Sequence, residues 1–208
     1  MPRCLLAAIL TLAAAVAAPA PASAASAFSF GCRYSHSAGD DPIVAPGRPL
    51  ATHLHDFVGN TRTDAFSTPF SLRDDATTCS VHGDRTADRS AYWVPSLLQH
   101  LPRGRARQIR PKDVTVYYHG DVKRLADLPR GLRMISSAGT WSCGHGRLAS
   151  GPRHPHCIDD PRDPWPVLLM LRLTFQRCWD GVNLDSPDHR SHMAHPGPRG
   201  PDDCPASH

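Results

Sequence analysis

Apolar and polar positions alternate most clearly over "VLLMLRLTF", residues 167–175. Val167, Leu169, Leu171, Leu173 and Phe175 lie on one face, and Arg172 and Thr174 on the other. A period of two is that of a half-buried β-strand. "DVTVYY" (113–118) repeats the pattern, with Val114, Val116 and Tyr118 set against Thr115 and Tyr117. "GLRMIS" (131–136) is a weaker strand candidate. "SAYWVPSLL" (90–98) begins extended, and Pro95 makes it an edge or a strand end, because proline cannot donate to a ladder. Helical periodicity is scarce. "SPDHRSHM" (186–193) offers Ser186 as N-cap, Pro187 at the first helical position and Asp188 in the first turn, which predicts one short helix. The predicted fold is mostly β: a loop-rich, disulfide-stapled β-sandwich of jelly-roll type with one or two short helices.

The first residues carry a different pattern. Arg3 precedes the apolar run Leu5 to Ala18, and small residues follow it. This is the pattern of a secretory signal peptide, cut after Ala24 or Ala27. The expected product is a single exported domain over 28–208, monomeric, with no membrane association after cleavage. Losing Arg3 takes the formal charge from +4 to +3, a mild excess. The basic run 103–112 has no interleaved aromatics and reads as a solvated loop, so no nucleic-acid partner is expected. With 15 glycines and 21 prolines, the chain is loop-rich and its core small for its length.

Export changes the meaning of the cysteines. Cys4 falls in the signal, leaving Cys32, Cys79, Cys143, Cys157, Cys178 and Cys204. Six scattered cysteines in an exported chain predict three disulfides. Cys143–Cys157 closes a Gly/Pro/His-rich excursion. Cys178–Cys204 and, by elimination, Cys32–Cys79 complete the expected set.

Two polar clusters are candidates for chemistry. In "HLHDFVGN" (53–60), an extended backbone projects His53 and His55 to one face, roughly 7 Å apart at Cα, with Asp56 beside them and Gly59-Asn60 as a turn. In the predicted helix of "LDSPDHRSHMAH" (184–195), His189 and His192 share a face. Both clusters are expected to meet at one end of a sheet. His53, His55, His189 and His192 then suit a divalent metal ion, with Asp56 or Asp185 as ligand or orienting acceptor. The same histidines suit hydrogen bonds that merely hold loops. The carboxylates Asp40, Asp41, Asp56, Asp180, Asp185 and Asp188 offer pairs for glycoside hydrolysis, although Asp near Gly and Pro commonly forms turns. A third reading is β-elimination on an acidic polysaccharide. His and Tyr would serve as base and acid, and Arg33, Arg62 or Arg73 would neutralise the uronate.

The blocks "FGCRYSHSAGDDPIVAPGRPLATHLHDFVGNTRTDAFST", "TTC", "SAYWVPSLL", "VYY", "GLRMI", "WSC" and "CWDGVNLDSPDHRSHMAH" occur in that order. Together they resemble the exported actinobacterial and fungal family catalogued as domain of unknown function nineteen ninety-six, over almost all of the mature chain. Some fungal members also carry carbohydrate-binding WSC modules. The matching signature positions are His36, Asp40, Asp41, His53, His55, Asp56, Asn60, Trp179, Asp180, Asp185, Asp188, His189 and His192. Members usually read "SHMAY", where this chain has His195. They also run on past "CPxSHP", where this chain stops at "CPASH", so the C-terminal part of the domain is expected to be incomplete.

The density of Asp and His signature residues on loops around a predicted sandwich, together with the WSC association of family members, leads to the expectation of a secreted, extracellular protein that acts on environmental or cell-wall polysaccharide as a hydrolase or lyase. His53, His55, Asp56, Asp185, Asp188, His189 and His192 are its candidate catalytic residues. His36, Asp40, Asp41, Asn60, Trp179 and Asp180 are candidates for substrate binding. A non-catalytic glycan- or metal-binding wall protein is the alternative.

Overall fold

The structure is a computed structural model. It describes residues 27–73, 76–81, 84–85, 88–119, 128–136, 139–143, 147–150, 157, 168–200 and 203–208. Residues 1–26, which hold all or nearly all of the expected signal segment, and Val167 lie outside the described residues.

The protein is mostly β and built from small sheets. Its strands are β1 (Ala27–Cys32), β2 (Tyr34–Ala38), β3 (His55–Gly59), β4 (Cys79–Val81), β5 (Asp84–Arg85), β6 (Ala91–Pro95) and β7 (Leu97–His100). They continue as β8 (Ala106–Ile109), β9 (Val114–His119), β10 (Gly139–Cys143), β11 (Arg147–Ser150), β12 (Leu169–Leu173), β13 (Cys178–Trp179) and β14 (Met193–Ala194). A four-stranded sheet runs β5-β4-β1-β9, and three-stranded sheets run β2-β3-β6 and β11-β10-β12. The hairpins β7-β8 and β13-β14 complete the set among the described residues. The only helical turn described is a 3₁₀ turn at Pro102–Gly104.

The core lies where the four-stranded sheet meets one face of β2-β3-β6. Phe30, Cys32, Val58 and Cys79 are buried there, with Val81, Tyr92, Val114, Val116 and Tyr118 packed around them. Alternation on β9 is as the sequence predicts: Val114, Val116 and Tyr118 point inward, and Tyr117 is 60% exposed. On β12, Leu169, Leu171 and Leu173 are half-buried, while Met170 and Arg172 are exposed. β6 ends at Pro95 and is an edge strand, which leaves the missing N–H without a ladder partner to disappoint.

The other face of β3 is covered by the loops between residues 39 and 73. Phe57 is wholly buried there, stacked on His36 at 4.7 Å between ring centroids and on Trp93 at 5.8 Å. Gly59 closes the strand with φ +83°, and a Cβ there would lie 2.5 Å from the Ser90 carbonyl oxygen. Only glycine fits both the backbone and the space.

All three disulfides pair as expected: Cys32–Cys79, Cys143–Cys157 and Cys178–Cys204. Cys32 and Cys79 are register partners on β1 and β4, so this bridge staples the core sheet directly. Three disulfides indicate an oxidising environment. Among the described residues no helix is long and apolar enough to cross a membrane.

Two expected elements are absent. Residues 132–136 form no strand; their backbone bonds a loop instead, with Arg133 N–H donating to the Leu184 carbonyl and Ile135 N–H to that of His189. Residues 187–192 form turns rather than a helix, and Met193 already belongs to β14. The carboxylate of Asp188 accepts the N–H groups of Arg190 and Ser191, and His189 takes φ +56°. Side-chain acceptors satisfy the donors that a helix would have used, and a left-handed residue ends helical propagation.

Candidate active site

The first cluster is organised by alternation along β3. His55 and Phe57 face the 39–73 loops; Asp56 and Val58 face the opposite way. His55 is 4% exposed. Its Nδ1–H donates to the Asp40 carbonyl at 3.1 Å, and its ring lies 4.3 Å from the exposed ring of His53. Asp56, on the far face, accepts hydrogen bonds at Oδ1 from Ser37 Oγ, Ser96 Oγ and Gln108 Nε2. His53, His55 and Asp56 are thus neighbours in sequence that serve two different environments.

The surrounding signature residues hold the loops. Asp40 accepts the N–H groups of Leu50 and Ala65. Asp41 accepts those of Ile43 and Val44, and the Trp93 indole N–H. His36 Nε2–H donates to the Thr63 carbonyl, which places the Ser35 hydroxyl as donor to Nδ1. Asn60, fully buried, donates to the Leu72 carbonyl and accepts the N–H of Arg62.

Burial pushes the His55 imidazole below its ordinary value of 6.5, and neighbouring His53 pushes the same way; Asp41, the Asp40 carbonyl and Asp56 oppose them. The folded state therefore binds this proton less readily than the unfolded chain. Its contribution disfavours folding as pH falls below about 6.5, and reaches its full size below the lowered folded value. His55→Asn keeps a donor for the Asp40 carbonyl but does not titrate. Thermal melts from pH 7 down to about pH 4, where carboxylates begin to dominate, should fall less steeply for this variant than for the wild type. Parallel curves would refute the assignment.

The second cluster is a connected loop. The Asp180 carboxylate accepts the N–H groups of Val182 and Asn183 and the Asn183 side chain, bonds that hold its pKa below the ordinary range. The Trp179 indole N–H donates to the Asn183 carbonyl. Asp188 accepts from Ser186 Oγ and two backbone N–H groups, and these also keep it ionised. His192 is buried, with Nε2–H donating to the Arg133 carbonyl at 2.7 Å and Nδ1 paired with Ser186 Oγ.

His189 is different. Its Nδ1 lies 2.8 Å from Asp185 Oδ1, and Arg133 Nη1 lies 3.6 Å from Asp185 Oδ2. The three side chains are 23%, 30% and 34% exposed, so solvent reaches all of them. Burial alone would raise the Asp185 pKa, but the His189 and Ser186 donors and the Arg133 charge outweigh it and leave the carboxyl below its usual range. An ionised Asp185 holds the proton of His189 on Nδ1. Nε2 is then an acceptor, and among the described residues no protein group bonds to it. Left-handed backbone at a non-glycine residue is a strained conformation of the kind found at functional sites.

No hydrogen bond, ion pair or ring contact joins His53, His55 or Asp56 to Asp185, Asp188, His189 or His192. Nor do the four histidines form the anticipated metal cage. Among the described residues no group of three or more His, Cys, Asp or Glu side chains is arranged to hold a metal ion. Only His192 has both ring nitrogens committed; the nitrogens left open on the other three do not converge in a group of three or more potential ligands. Arg133 was not a candidate from sequence, because "GLRMIS" reads as a strand and gives no hint that its backbone docks on a loop fifty residues away. A pocket of about 330 Å³ lies between Arg33, Ser80 and Asp113 beside β1; of the residues expected at a site it includes Cys32 and Arg33, and none of the His/Asp clusters.

The family described as "Domain of unknown function (DUF1996)" matches residues 41–208. No curated protein matches the chain, and no solved structure does.

Proposed function

The chain belongs to the DUF1996 family, and within it we propose a secreted enzyme that acts on extracellular or cell-wall polysaccharide with His189 as its general base. The observation that carries this reading is the Asp185–His189 pair, 2.8 Å apart at the surface. A carboxylate on Nδ1 fixes the tautomer and leaves Nε2, to which no described protein group bonds, as the acceptor for a substrate proton. His55 is the weaker alternative, since it is nearly enclosed and is oriented by a neutral carbonyl.

The surroundings suit a sugar ring. Val182 and Leu184 are exposed on the same loop, 78% and 42%, and Trp179 is half-buried beside it. Apolar and aromatic surface next to polar groups matches the two-sided character of a pyranose. Export fits such a substrate, and the disulfides fit export.

The test is turnover of a panel of cell-wall and environmental polysaccharides by the purified protein, read as released reducing ends and as ultraviolet absorbance. The wild type should act on at least one polymer, and His189→Ala should abolish that activity while the melting temperature stays close to wild type. A protein that binds a glycan without turning it over would be the non-catalytic wall protein instead.

A further inference from the structure

We infer that the Asp185–His189 site acts on uronate-bearing chains and cleaves them by syn β-elimination, an inference that rests on His189 being the base. Two observations point there: the placement of Arg133 and the placement of the tyrosines.

The Arg133 backbone is pinned to the loop that carries the pair. Its N–H donates to the Leu184 carbonyl, and its carbonyl accepts His192 Nε2–H. The guanidinium touches Asp185 only at 3.6 Å and is about one-third exposed. Most of its donors therefore remain available beside His189. Guanidinium matches carboxylate geometry with two parallel hydrogen bonds. A proton next to a carboxylate becomes removable by an imidazole when such a cation neutralises the charge that develops.

Elimination also requires an acid for the departing oxygen, and tyrosine is the expected one. All four tyrosines lie on strands of other sheets. The Tyr34 hydroxyl pairs with Ser37, and its ring lies under Arg110. Tyr92 donates to Asp88 and pairs with Tyr118 in the core. Tyr117 lies on β9 in the four-stranded sheet. With no tyrosine bonded to the pair, one imidazole serves twice. His189 Nε2 takes the C5 proton, and the C5–H electrons form the C4=C5 double bond. The C4–O bond breaks, its electrons leave with the oxygen, and the imidazolium returns the proton to that oxygen. No net proton is gained or lost, nothing is oxidised, and the enzyme ends as it began.

A single base on one side of the ring needs the C5 hydrogen and the C4 oxygen on the same face. Glucuronate and mannuronate have that relation; galacturonate has the opposite one. The expected substrate class is thus a glucuronate- or mannuronate-containing polymer.

The experiment supplies the purified protein with glucuronan, polymannuronate, polygalacturonate and a neutral β-glucan. Reducing ends and the absorbance of the unsaturated uronate should rise together on the first two polymers and on neither of the others. Arg133→Gln leaves the backbone bonds intact, so the fold should persist while kcat/KM drops at least about tenfold; Arg133→Lys should recover part of it. Reducing ends without absorbance, still abolished by His189→Ala, would overturn elimination while the base assignment stands. Preference for polygalacturonate would overturn the syn geometry. Turnover of the neutral glucan, indifferent to Arg133→Gln, would overturn the uronate specificity. Absence of any product would overturn the base assignment together with this inference.

Discussion

Replacing Phe57 by alanine should lower the unfolding free energy by about 3–5 kcal/mol, the range for deleting a buried aromatic ring. Phe57 has no exposed surface and is the central ring of a row formed with His36, Trp93 and His55. The size of the effect depends on whether the vacated space can collapse. Here the covering loops are tied to the sheet by side chains that do not move independently. His36 holds the Thr63 carbonyl, the Trp93 indole holds Asp41, and His55 holds the Asp40 carbonyl. Closing the cavity would break one or more of these bonds, so the cavity should stay open and the cost should fall at the upper end. Denaturant unfolding should show a lowered midpoint with an unchanged slope. A loss below about 1.5 kcal/mol would show that the loops repack freely.

That row also shows how far the sequence was readable. The central strand was only partly visible in "HLHDFVGN": the extended backbone expected around His53 and His55 is a strand that begins at His55 and runs to Gly59, with His53 outside it. β9 and β12 were visible by period alone, and Pro95 ended its strand for a reason intrinsic to proline. The even count of cysteines pointed to three disulfides, and the pairing chosen among the fifteen possible is the one the structure has. Residues 186–193 misled because Ser-Pro-Asp is as good a turn as a helix start; which one forms depends on where His189 sits, and its left-handed backbone is set by contacts with 133–135. The helical reading paired His189 with His192. The turn instead buries His192 and leaves His189 outside against Asp185. Asp56 was grouped with His55 by sequence adjacency, although a strand sends adjacent residues to opposite faces. Arg133 was invisible because its relation to the site is tertiary and made through the backbone.

The largest effect on activity is expected from the Asp185–His189 pair, and its variants separate charge from orientation. His189→Ala removes the base and should lower kcat/KM by about 10²- to 10⁴-fold, the usual contribution of a positioned acid or base. Asp185→Ala leaves the imidazole free to rotate and to adopt either tautomer, so its loss should approach that of His189→Ala. Asp185→Asn should cost less. An amide oxygen can still accept from His189 Nδ1–H and from the Ser186 N–H, the two donors that the wild-type Oδ1 accepts, and only the negative charge disappears. The double variant His189→Ala, Asp185→Ala should be no worse than His189→Ala alone, since residues that act as a unit are not additive. Losses that multiply would mean that Asp185 contributes to the reaction independently of the histidine. An unchanged rate in Asp185→Ala, with a lowered melting temperature, would show that the pair holds the loop and does no chemistry.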